Sequence, residues 1–233
     1  MSGETMDVDE VAQFLQRDVR EVTRLANRGY LPGRKIGGEW KFSRSEVTHW
    51  VETQLHAYTE VELANLEGKA GNTEDDLIIG TLLREACIAV PLQARTKKSV
   101  LSELVKVAEQ SWQVYDADAL LKALIQREEM GTTAQENGIA LPHPHRPLPN
   151  ALGDTVLAYG RTSSGIPFGS PHGCLTDIFF LVGARDDRTH LRTLARLARM
   201  LLRPGLVDEL RAAETSQATF EVLAAAERDL LGV

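Results

Sequence analysis

Apolar residues recur at helical spacing through the first part of the chain. A capping box at Asp7 and Glu10 opens the first predicted helix, and the same spacing at Asp18 and Glu21 opens the second. The second pattern ends at Gly29, a typical helix stop. Two short capped helices with a tight break predict a helix-turn-helix. The residues expected to face inward from the second helix are Val19, Val22 and Leu25.

A short hairpin is predicted directly after these helices. The dipeptide Gly37-Gly38 between two short apolar runs is typical of a two-residue hairpin turn. This turn places Trp40 and Phe42 on one face of the hairpin. The opposite face then offers cations to solvent. The predicted cross-strand pairs are Ile36 with Glu39, Lys35 with Trp40, and Arg34 with Lys41.

Helical spacing resumes after the hairpin and continues to residue 66. Ser43 and Glu46 have capping-box spacing before a third helix. The pattern from His49 to Leu66 stays helical, with Val51, Leu55, Tyr58 and Val61 near one stripe. This stripe is either a dimer seam or a face that packs on its own domain. The small polar residues 67–73 predict a linker.

Helix and strand patterns alternate through the rest of the chain. Helices are predicted over 76–84, 97–109, 117–130, 188–202, 207–213 and 218–231, and strands over 88–90, 155–160 and 175–182. This alternation predicts an α/β domain in which helices flank a mixed sheet. The predicted domains are a winged helix-turn-helix over 1–55, a helical extension and linker over 56–75, and the α/β domain over 76–233.

Composition excludes several classes of protein. The 233 residues are 43% hydrophobic and 25% charged, which is ordinary for a globular chain. No apolar run approaches the ~20 residues that span a bilayer, and the first residues lack a secretory pattern. Two isolated cysteines form neither a disulfide framework nor a thiolate zinc site. We therefore expect a cytoplasmic protein with no membrane association.

The net charge of −7 conceals a basic segment. Residues 20–44 carry seven Lys or Arg against two acidic residues, as expected of a small nucleic-acid reader. On the second helix, basic and hydrogen-bonding residues recur at i, i+3, i+4 and i+7, which suits a helix in a major groove. The predicted DNA-contacting residues are Arg20, Thr23, Arg24, Asn27, Arg34, Lys35, Lys41 and Arg44. Among them, Arg20, Thr23 and Arg24 are expected to read bases, and Arg34 and Lys41 to contact phosphates.

The segment 8–51 resembles the excisionase-type, MerR-like winged helix-turn-helix family. The shared features are the two helices, the Gly-Tyr-Leu-Pro turn, the Gly-Gly wing, its tryptophan and the Arg-Ser that follows. The resemblance implies DNA binding through the second helix and the wing. The alternative is that the same fold serves as a protein-interaction module. Because a single DNA-binding domain of this size binds DNA weakly, DNA binding implies a homodimer.

A proline-rich loop carries the main candidate chemistry of the second domain. His143 and His145 lie within residues 141–149, which hold four of the nine prolines, so the loop is stiff and non-helical. No carboxylate or thiolate set accompanies the two histidines, and we predict no metal site. The chain also lacks a phosphate loop, a Gly-x-Gly-x-x-Gly and a His-Glu-x-x-His, and no cofactor is predicted.

Two segments of the second domain resemble the fructose/mannitol-type enzyme IIA domain of the bacterial phosphotransferase system and its nitrogen-regulatory relatives. They are REEMGTTAQENGIALPHP and GIPFGSPHGCLTDIFFLVGARDDRTHLRTLARLARML. The resemblance implies that His143 accepts a phosphoryl group from an HPr-like phosphocarrier, with Arg127 and His190 as the other catalytic residues. It further implies phosphate-site support from Thr132, Thr133 and Asn137. Such a domain is a phosphoryl-transfer component rather than an independently turning-over enzyme.

The chain departs from that family's pattern at two places where a partner would dock. Pro144, His145 and Arg146 follow the active histidine, and His172 stands where an aspartate is common. The predicted helix from Arg188 also carries arginines at helical spacing. They are interpreted as a solvated face, with a docking surface as the alternative, and they are Arg192, Arg196, Arg199 and Arg203.

Three functional hypotheses follow from these patterns. The first is a DNA-binding regulator controlled by phosphorylation of His143. The second is a phosphocarrier that passes phosphate to a separate IIB protein. The third is an unphosphorylated IIA-like module that binds a protein or a metabolite.

Overall fold

The computed structural model describes residues 5–68 and 77–233. The chain divides into two compact units, residues 1–69 and 70–233, and each is described by itself. In the described residues no helix is both long enough and apolar enough to cross a bilayer.

Four helices form most of the N-terminal unit: α1 (Val8–Leu15), α2 (Val19–Asn27), α3 (Arg44–Gln54) and α4 (Glu60–Glu67). The predicted capping box of α1 is confirmed, since Asp7 and Glu10 satisfy each other's backbone N–H groups. The predicted box of α2 is wrong. Asp18 caps this helix alone, because the carboxylate of Glu21 forms an ion pair with Arg17 at 2.6 Å.

The inward face of α2 differs in part from the prediction. Of the three predicted residues, Val22 is buried and Leu25 is half-buried, but Val19 is exposed. The unpredicted Ala26 is buried as well. Val19 is the first residue of the helix. Helical spacing identifies the stripe but not the point along the helix where packing begins.

A three-stranded sheet completes the N-terminal unit, with β1 (Thr5–Met6), β2 (Arg34–Ile36) and β3 (Glu39–Ser43) in the antiparallel order β1-β3-β2. The predicted hairpin register is confirmed in all three of its pairs. Both turn glycines have positive φ, 63° at Gly37 and 89° at Gly38, which glycine adopts without steric cost. Strand β1 was not predicted, because its two residues carry no pattern of their own.

The continuous helix predicted from residue 49 to residue 66 is wrong. Helix α3 ends at Gln54, a 3₁₀ turn follows over Leu55–Ala57, and α4 begins after Thr59. Thr59 and Glu62 form a capping box, which starts a new helix in a different direction. Leu55 and Tyr58 are buried in the described structure, but Val61 is exposed and does not belong to the stripe.

Ser43 also differs from the prediction. It occupies the N-cap position of α3 without making a side-chain capping bond, and its hydroxyl lies 3.1 Å from that of Ser45. Most of the predicted linker lies outside the described residues. The helix predicted over 76–84 is described as the single turn α5 (Ile79–Leu82).

The C-terminal unit is built on a four-stranded mixed sheet. Its strands are β4 (Ile88–Ala89), β5 (Ile139–Ala140), β6 (Val156–Ile166) and β7 (Thr176–Gly183), in the order β4-β6-β7-β5. The central pair β6–β7 is antiparallel, whereas β4 runs parallel to β6 and β5 parallel to β7. This arrangement confirms the predicted mixed sheet.

Helices flank this sheet, as predicted. Besides α5 they are α6 (Lys97–Glu109), α7 (Ala117–Met130), α8 (Asp187–Leu201), α9 (Leu206–Ala212) and α10 (Ser216–Leu231). Helices α6 and α7 have the predicted bounds, because Thr96 and Asp116 cap their first turns. The core centres on β6 and β7, where the rings of Tyr159 and Phe180 meet edge to face at 5.0 Å. Burial raises the pKa of the Tyr159 hydroxyl.

The interpretation of the α8 arginines as a solvated face is wrong for Arg196. Its side chain and that of Glu227 are each 0% exposed, and Nη1 of Arg196 donates to Glu227 at 2.6 Å. Glu227 also accepts the backbone N–H groups of Ile78 and Ile79, so this carboxylate fixes the start of α5. Arg203 pairs with Glu209 near the end of α8.

Candidate functional site

Two of the predicted site residues meet in the C-terminal unit. His143 lies in the loop after β5, and His190 lies in the second turn of α8. Their ring centroids are 5.2 Å apart, and the rings are inclined by 61°. The structure therefore brings together two imidazoles that are 47 positions apart in the sequence.

One nitrogen of His143 is committed to the backbone. Nδ1 lies 2.6 Å from the carbonyl oxygen of Leu141. Since a carbonyl oxygen only accepts hydrogen bonds, Nδ1 carries a proton in this contact. The lone pair of the neutral ring is then on Nε2, which makes Nε2 the nucleophilic atom.

Backbone hydrogen bonds hold the loop around His143 on both sides. The Leu141 N–H donates to the carbonyl of Thr133 at 3.2 Å, and the Val182 N–H donates to the carbonyl of Pro142 at 3.0 Å. Further along, the Leu148 N–H donates to the carbonyl of Ala184 at 2.9 Å. Together with the prolines, these bonds fix the direction of the imidazole, as the sequence predicts for this loop.

His190 belongs to a well-capped helix start. The carboxylate of Asp186 accepts the N–H of Thr189 at 2.9 Å, and its carbonyl accepts the N–H of His190 at 3.1 Å. A helix N-terminus carries a partial positive charge from its unpaired N–H groups. An anion near His190 therefore gains from the direction of α8.

Arg127 lies in the last turn of α7. Its Nη1 donates to the carbonyl of Gly131 at 2.9 Å, which ties the guanidinium to the turn that follows the helix. That turn continues into Thr133, whose carbonyl holds Leu141. Arg127 is thus connected to the loop of His143 through the backbone.

The two threonines predicted to support a phosphate use their hydroxyl protons inside the domain. Thr132 Oγ1 donates to the carbonyl of Phe168 at 3.2 Å. Thr133 Oγ1 donates to the carboxylate of Glu128 at 2.8 Å. In this structure both hydroxyls shape the turn after α7.

Asn137 lies at the opposite end of β5 from His143. Its side-chain oxygen accepts the N–H of Ile139 at 3.3 Å, and its carbonyl accepts Nη2 of Arg211 at 3.0 Å. Asn137 therefore shapes the turn that begins β5, and the structure does not bring it to the paired imidazoles. Arg211 also donates two hydrogen bonds to the carboxylate of Asp177. These bonds raise the pKa of the Arg211 guanidinium.

The site neighbourhood contains a buried acid that the sequence interpretation missed. The side chain of Glu128 is 2% exposed and lies 3.2 Å from Nζ of Lys97. The available signal was positional, since Glu128 follows Leu120 and Leu124 on the inward stripe of α7. A charged residue at such a position needs buried partners, which spacing along one helix does not reveal.

In the N-terminal unit, the basic residues predicted to bind DNA lie on α2, on the hairpin and, for Arg44, at the start of α3. Arg20, Arg24, Arg34 and Lys35 are exposed, and Asn27 is exposed at the end of α2. Thr23 is half-buried, and its hydroxyl donates to the carbonyl of Val19 at 2.8 Å.

Contacts within the unit order the wing and its flank. The side-chain oxygen of Asn27 accepts the indole N–H of Trp40 at 3.2 Å, which joins the end of α2 to β3. Nζ of Lys35 lies 5.2 Å from the centre of the Trp40 ring, and Nζ of Lys41 lies 3.7 Å from Glu39. The guanidinium of Arg44 lies over the ring of Phe14 at 5.0 Å.

His172, at one of the departures from the family pattern, is exposed and has a φ of 58°. Its Nε2 lies 3.2 Å from Glu136, in the turn that precedes β5. This contact joins two loops at the end of β5 opposite His143.

Comparison with known proteins matches each unit to a family model. Residues 81–226 match the family model described as phosphoenolpyruvate-dependent sugar phosphotransferase system, EIIA 2, and residues 5–55 match a helix-turn-helix domain. A nitrogen regulatory protein of Bradyrhizobium diazoefficiens is 37% identical over 151 residues, which cover 63% of this chain and 94% of that protein. The fructose-specific EIIABC component of Bacillus subtilis is 27% identical, with 62% of this chain matched to 23% of the relative's length.

Solved structures show the same fold for the C-terminal unit. The nitrogen regulatory protein IIA-Ntr from Neisseria meningitidis has a TM-score of 0.57 and 21% identity, and the match covers 63% of this chain and 99% of that one. The mannitol IIA of Escherichia coli has a TM-score of 0.53 and 18% identity, covering 60% and 98%. The chain belongs to the EIIA 2 family of the phosphoenolpyruvate-dependent sugar phosphotransferase system and carries a helix-turn-helix domain ahead of that module.

Proposed function

We propose that this protein is a DNA-binding regulator whose EIIA module accepts a phosphoryl group on His143. One observation carries the proposal. A chain with a helix-turn-helix domain also pairs His143 with His190 and leaves the lone pair of the neutral His143 ring on Nε2. The donor is an HPr-like phosphocarrier protein, and phosphorylation couples the state of the phosphotransferase system to transcription.

The transfer is an exchange between two imidazoles. Nε2 of His143 attacks the phosphorus atom of the donor's phosphohistidine, and a new N–P bond forms as the donor's N–P bond breaks. The donor ring, protonated on its other nitrogen, leaves as neutral imidazole with the electron pair of that bond. The His143 ring keeps its Nδ1 proton, so no proton has to pass between the two rings. Such a transfer depends mainly on positioning and on stabilisation of the phosphoryl charge. His190, Arg127 and the N-terminus of α8 are the groups that stabilise the negative charge of the phosphoryl group.

The first test is labelling of the full-length protein. Incubation with labelled phosphoenolpyruvate, enzyme I and HPr of its own phosphotransferase system should give an acid-labile phosphohistidine. His143→Ala should abolish the label, and His190→Ala should slow its appearance. His56→Ala is the matched control, because this imidazole is exposed and belongs to the N-terminal unit. Absence of label in the unsubstituted protein would contradict the proposal.

The second test addresses the DNA-binding half. We expect the winged helix-turn-helix, of the excisionase or MerR-like type, to bind as a homodimer through α2 and the hairpin. Full-length protein is used to select duplexes from a random library, and affinity for the selected DNA is measured before and after phosphorylation. Phosphorylation adds about two negative charges, enough to shift a contact between protomers. Equal affinity of the two forms would exclude the switch while leaving phosphorylation itself intact.

Onward transfer is measured in the same system. If the phosphoryl group passes from His143 to a separate IIB protein and DNA affinity does not respond, the protein is a phosphocarrier.

A further inference from the structure

A buried carboxylate lies outside the phosphoryl-transfer step described above. Glu128 accepts two hydrogen bonds from Thr133, one from its backbone N–H and one from its hydroxyl, each at 2.8 Å. It also pairs with Nζ of Lys97 at 3.2 Å. A buried carboxylate is stable only when it is paired and hydrogen-bonded, and these contacts meet that need.

A continuous series of hydrogen bonds runs from Glu128 to the imidazole of His143. Residues 133–135 pair antiparallel with residues 139–141, through the Ala134–Ala140 bridge and the flanking backbone bonds. The carbonyl of Thr133 holds the N–H of Leu141, and the carbonyl of Leu141 accepts Nδ1–H of His143. Beyond the contact between Glu128 and Thr133, each step is a single hydrogen bond.

The residue before Glu128 holds the same turn from its other side. Arg127 donates to the carbonyl of Gly131, two residues before the threonine that Glu128 holds. Gly131 has a φ of 157°, close to fully extended backbone, so the chain leaves α7 abruptly there. Consecutive residues of α7 therefore fix both ends of the turn that supports the loop of His143.

Lys97 contributes more than charge to this arrangement. Its ammonium lies 4.9 Å from the centre of the Phe168 ring, and the Phe168 carbonyl accepts the hydroxyl of Thr132. Residue 132 is thus held on one side through Phe168 and residue 133 on the other through Glu128. Both anchors lead back to the first turn of α6, where Lys97 lies.

We propose that Glu128, supported by Lys97, is a positioning residue for His143. By fixing Thr133 it holds the Leu141 carbonyl in place, and that carbonyl keeps the proton on Nδ1 and the lone pair on Nε2. Glu128 touches neither the donor nor the phosphoryl group. The role in transfer rests on the proposed function, whereas the role in setting the state of the imidazole can be measured without it.

The principal variant is Glu128→Gln, which keeps the shape of the side chain and removes its charge. The matched control is Glu129→Gln, because Glu129 is the next residue of α7 and is exposed. We expect Glu128→Gln to slow phosphorylation of His143 by about tenfold, the scale of effect expected when a reacting group loses its fixed orientation. The control should react at the unaltered rate.

A second readout distinguishes positioning from general damage. In ¹⁵N-detected spectra of the unphosphorylated full-length protein, neutral His143 should show a protonated Nδ1 and an unprotonated Nε2. Glu128→Gln should give a mixture of the two tautomers, and Glu129→Gln should not. This measurement needs no phosphodonor, so it remains informative if the labelling experiment fails.

Thr133 provides an independent pair of variants should Glu128→Gln fail to fold. Thr133→Ser keeps the hydroxyl that donates to Glu128 and should retain the tautomer and the rate. Thr133→Val removes it and should reproduce the behaviour of Glu128→Gln. A folded Glu128→Gln or Thr133→Val protein with an unaltered tautomer and an unaltered rate would overturn the proposal.

Discussion

Individual charged residues in the C-terminal unit show which side-chain contacts helical spacing can predict. Helical spacing places Arg196 and Glu227 within amphipathic helices, but it does not show that the two side chains meet. Their pairing depends on how α8 and α10 pack, and these residues are 31 positions apart. For Arg196, neither the burial of the side chain nor the identity of its partner is therefore predictable from spacing along its own helix.

The buried pair gives a prediction at this scale. Arg196→Met should destabilise the full-length protein by about 3 kcal/mol, because it leaves the carboxylate of Glu227 buried without its cation. Arg203→Met is the control, since its partner Glu209 is largely solvated and such a pair contributes less than about 1 kcal/mol. Urea unfolding followed by circular dichroism measures both. A loss for Arg196→Met no larger than for the control would contradict the assignment.

The candidate site shows the same limit. The resemblance of the two quoted segments indicated His143 and His190, and the structure brings them together. It also indicated Asn137, which lies at the other end of β5, where a turn residue with a short polar side chain satisfies a backbone N–H. Local turn geometry accounts for this residue without a bound phosphate.

Elements with local caps were predictable, and elements that depend on distant pairing were not. Helices α6 and α7 begin where a threonine and an aspartate cap them, so their bounds follow from a few adjacent residues. Strands β1 and β5 have two residues each and exist only because β3 and β7 pair with them. Sequence spacing carries no signal for these two strands, although the equally short β4 lies within the predicted strand 88–90.

Helix α4 gives a prediction at the scale of the element. Glu62 accepts the backbone N–H and the hydroxyl of Thr59 and pairs with Arg17 at 3.3 Å. The hydrogen bonds from Thr59, and then the charge of Arg17, lower the pKa of the Glu62 carboxyl. Glu62→Gln should weaken α4 by about 0.5–1 kcal/mol at neutral pH, the range for a cap and an exposed ion pair.

The pH dependence of that effect has a definite sign. Because the pKa of Glu62 is lower in the folded protein, its stabilisation is present above the ordinary glutamate pKa and is lost as the pH falls through the folded-state value. Hydrogen exchange of the Leu63 amide, which donates to the Thr59 carbonyl, reports on this helix. Glu62→Gln should reduce protection about two- to fivefold near neutral pH and much less in acid. If Glu62→Gln reduced the protection of the Leu63 amide equally at both pH values, that result would refute this account.

At the scale of the whole molecule, the two units have opposite electrostatic tasks. The net charge of −7 sums a basic reading surface and an acidic EIIA module, and for that reason it is a poor guide to partners. The split was predictable from charge counted in segments. The detailed surface was not, because contacts such as Lys41 with Glu39 redistribute the charge of the wing.

The DNA-binding surface gives a prediction for the full-length protein. Arg24→Ala should weaken binding to library-selected DNA about tenfold or more and relax sequence preference, as expected for a base contact. Arg34→Ala should weaken binding to selected and mixed-sequence DNA alike, and it should lower the salt dependence by about one counterion per site. Electrophoretic mobility shifts at several salt concentrations separate the two outcomes. Identical behaviour of the two variants would contradict the division into base and phosphate contacts.

The hydrogen bond between Asn27 and Trp40 sets a geometric limit on any DNA that this head reads. Because this bond joins the end of α2 to β3, we expect the helix and the wing to contact DNA at a fixed separation. The distance from the bases that α2 contacts to the phosphates that the wing contacts is then constant. A target with one base pair inserted between those two contacts would have to bend or give up one of them.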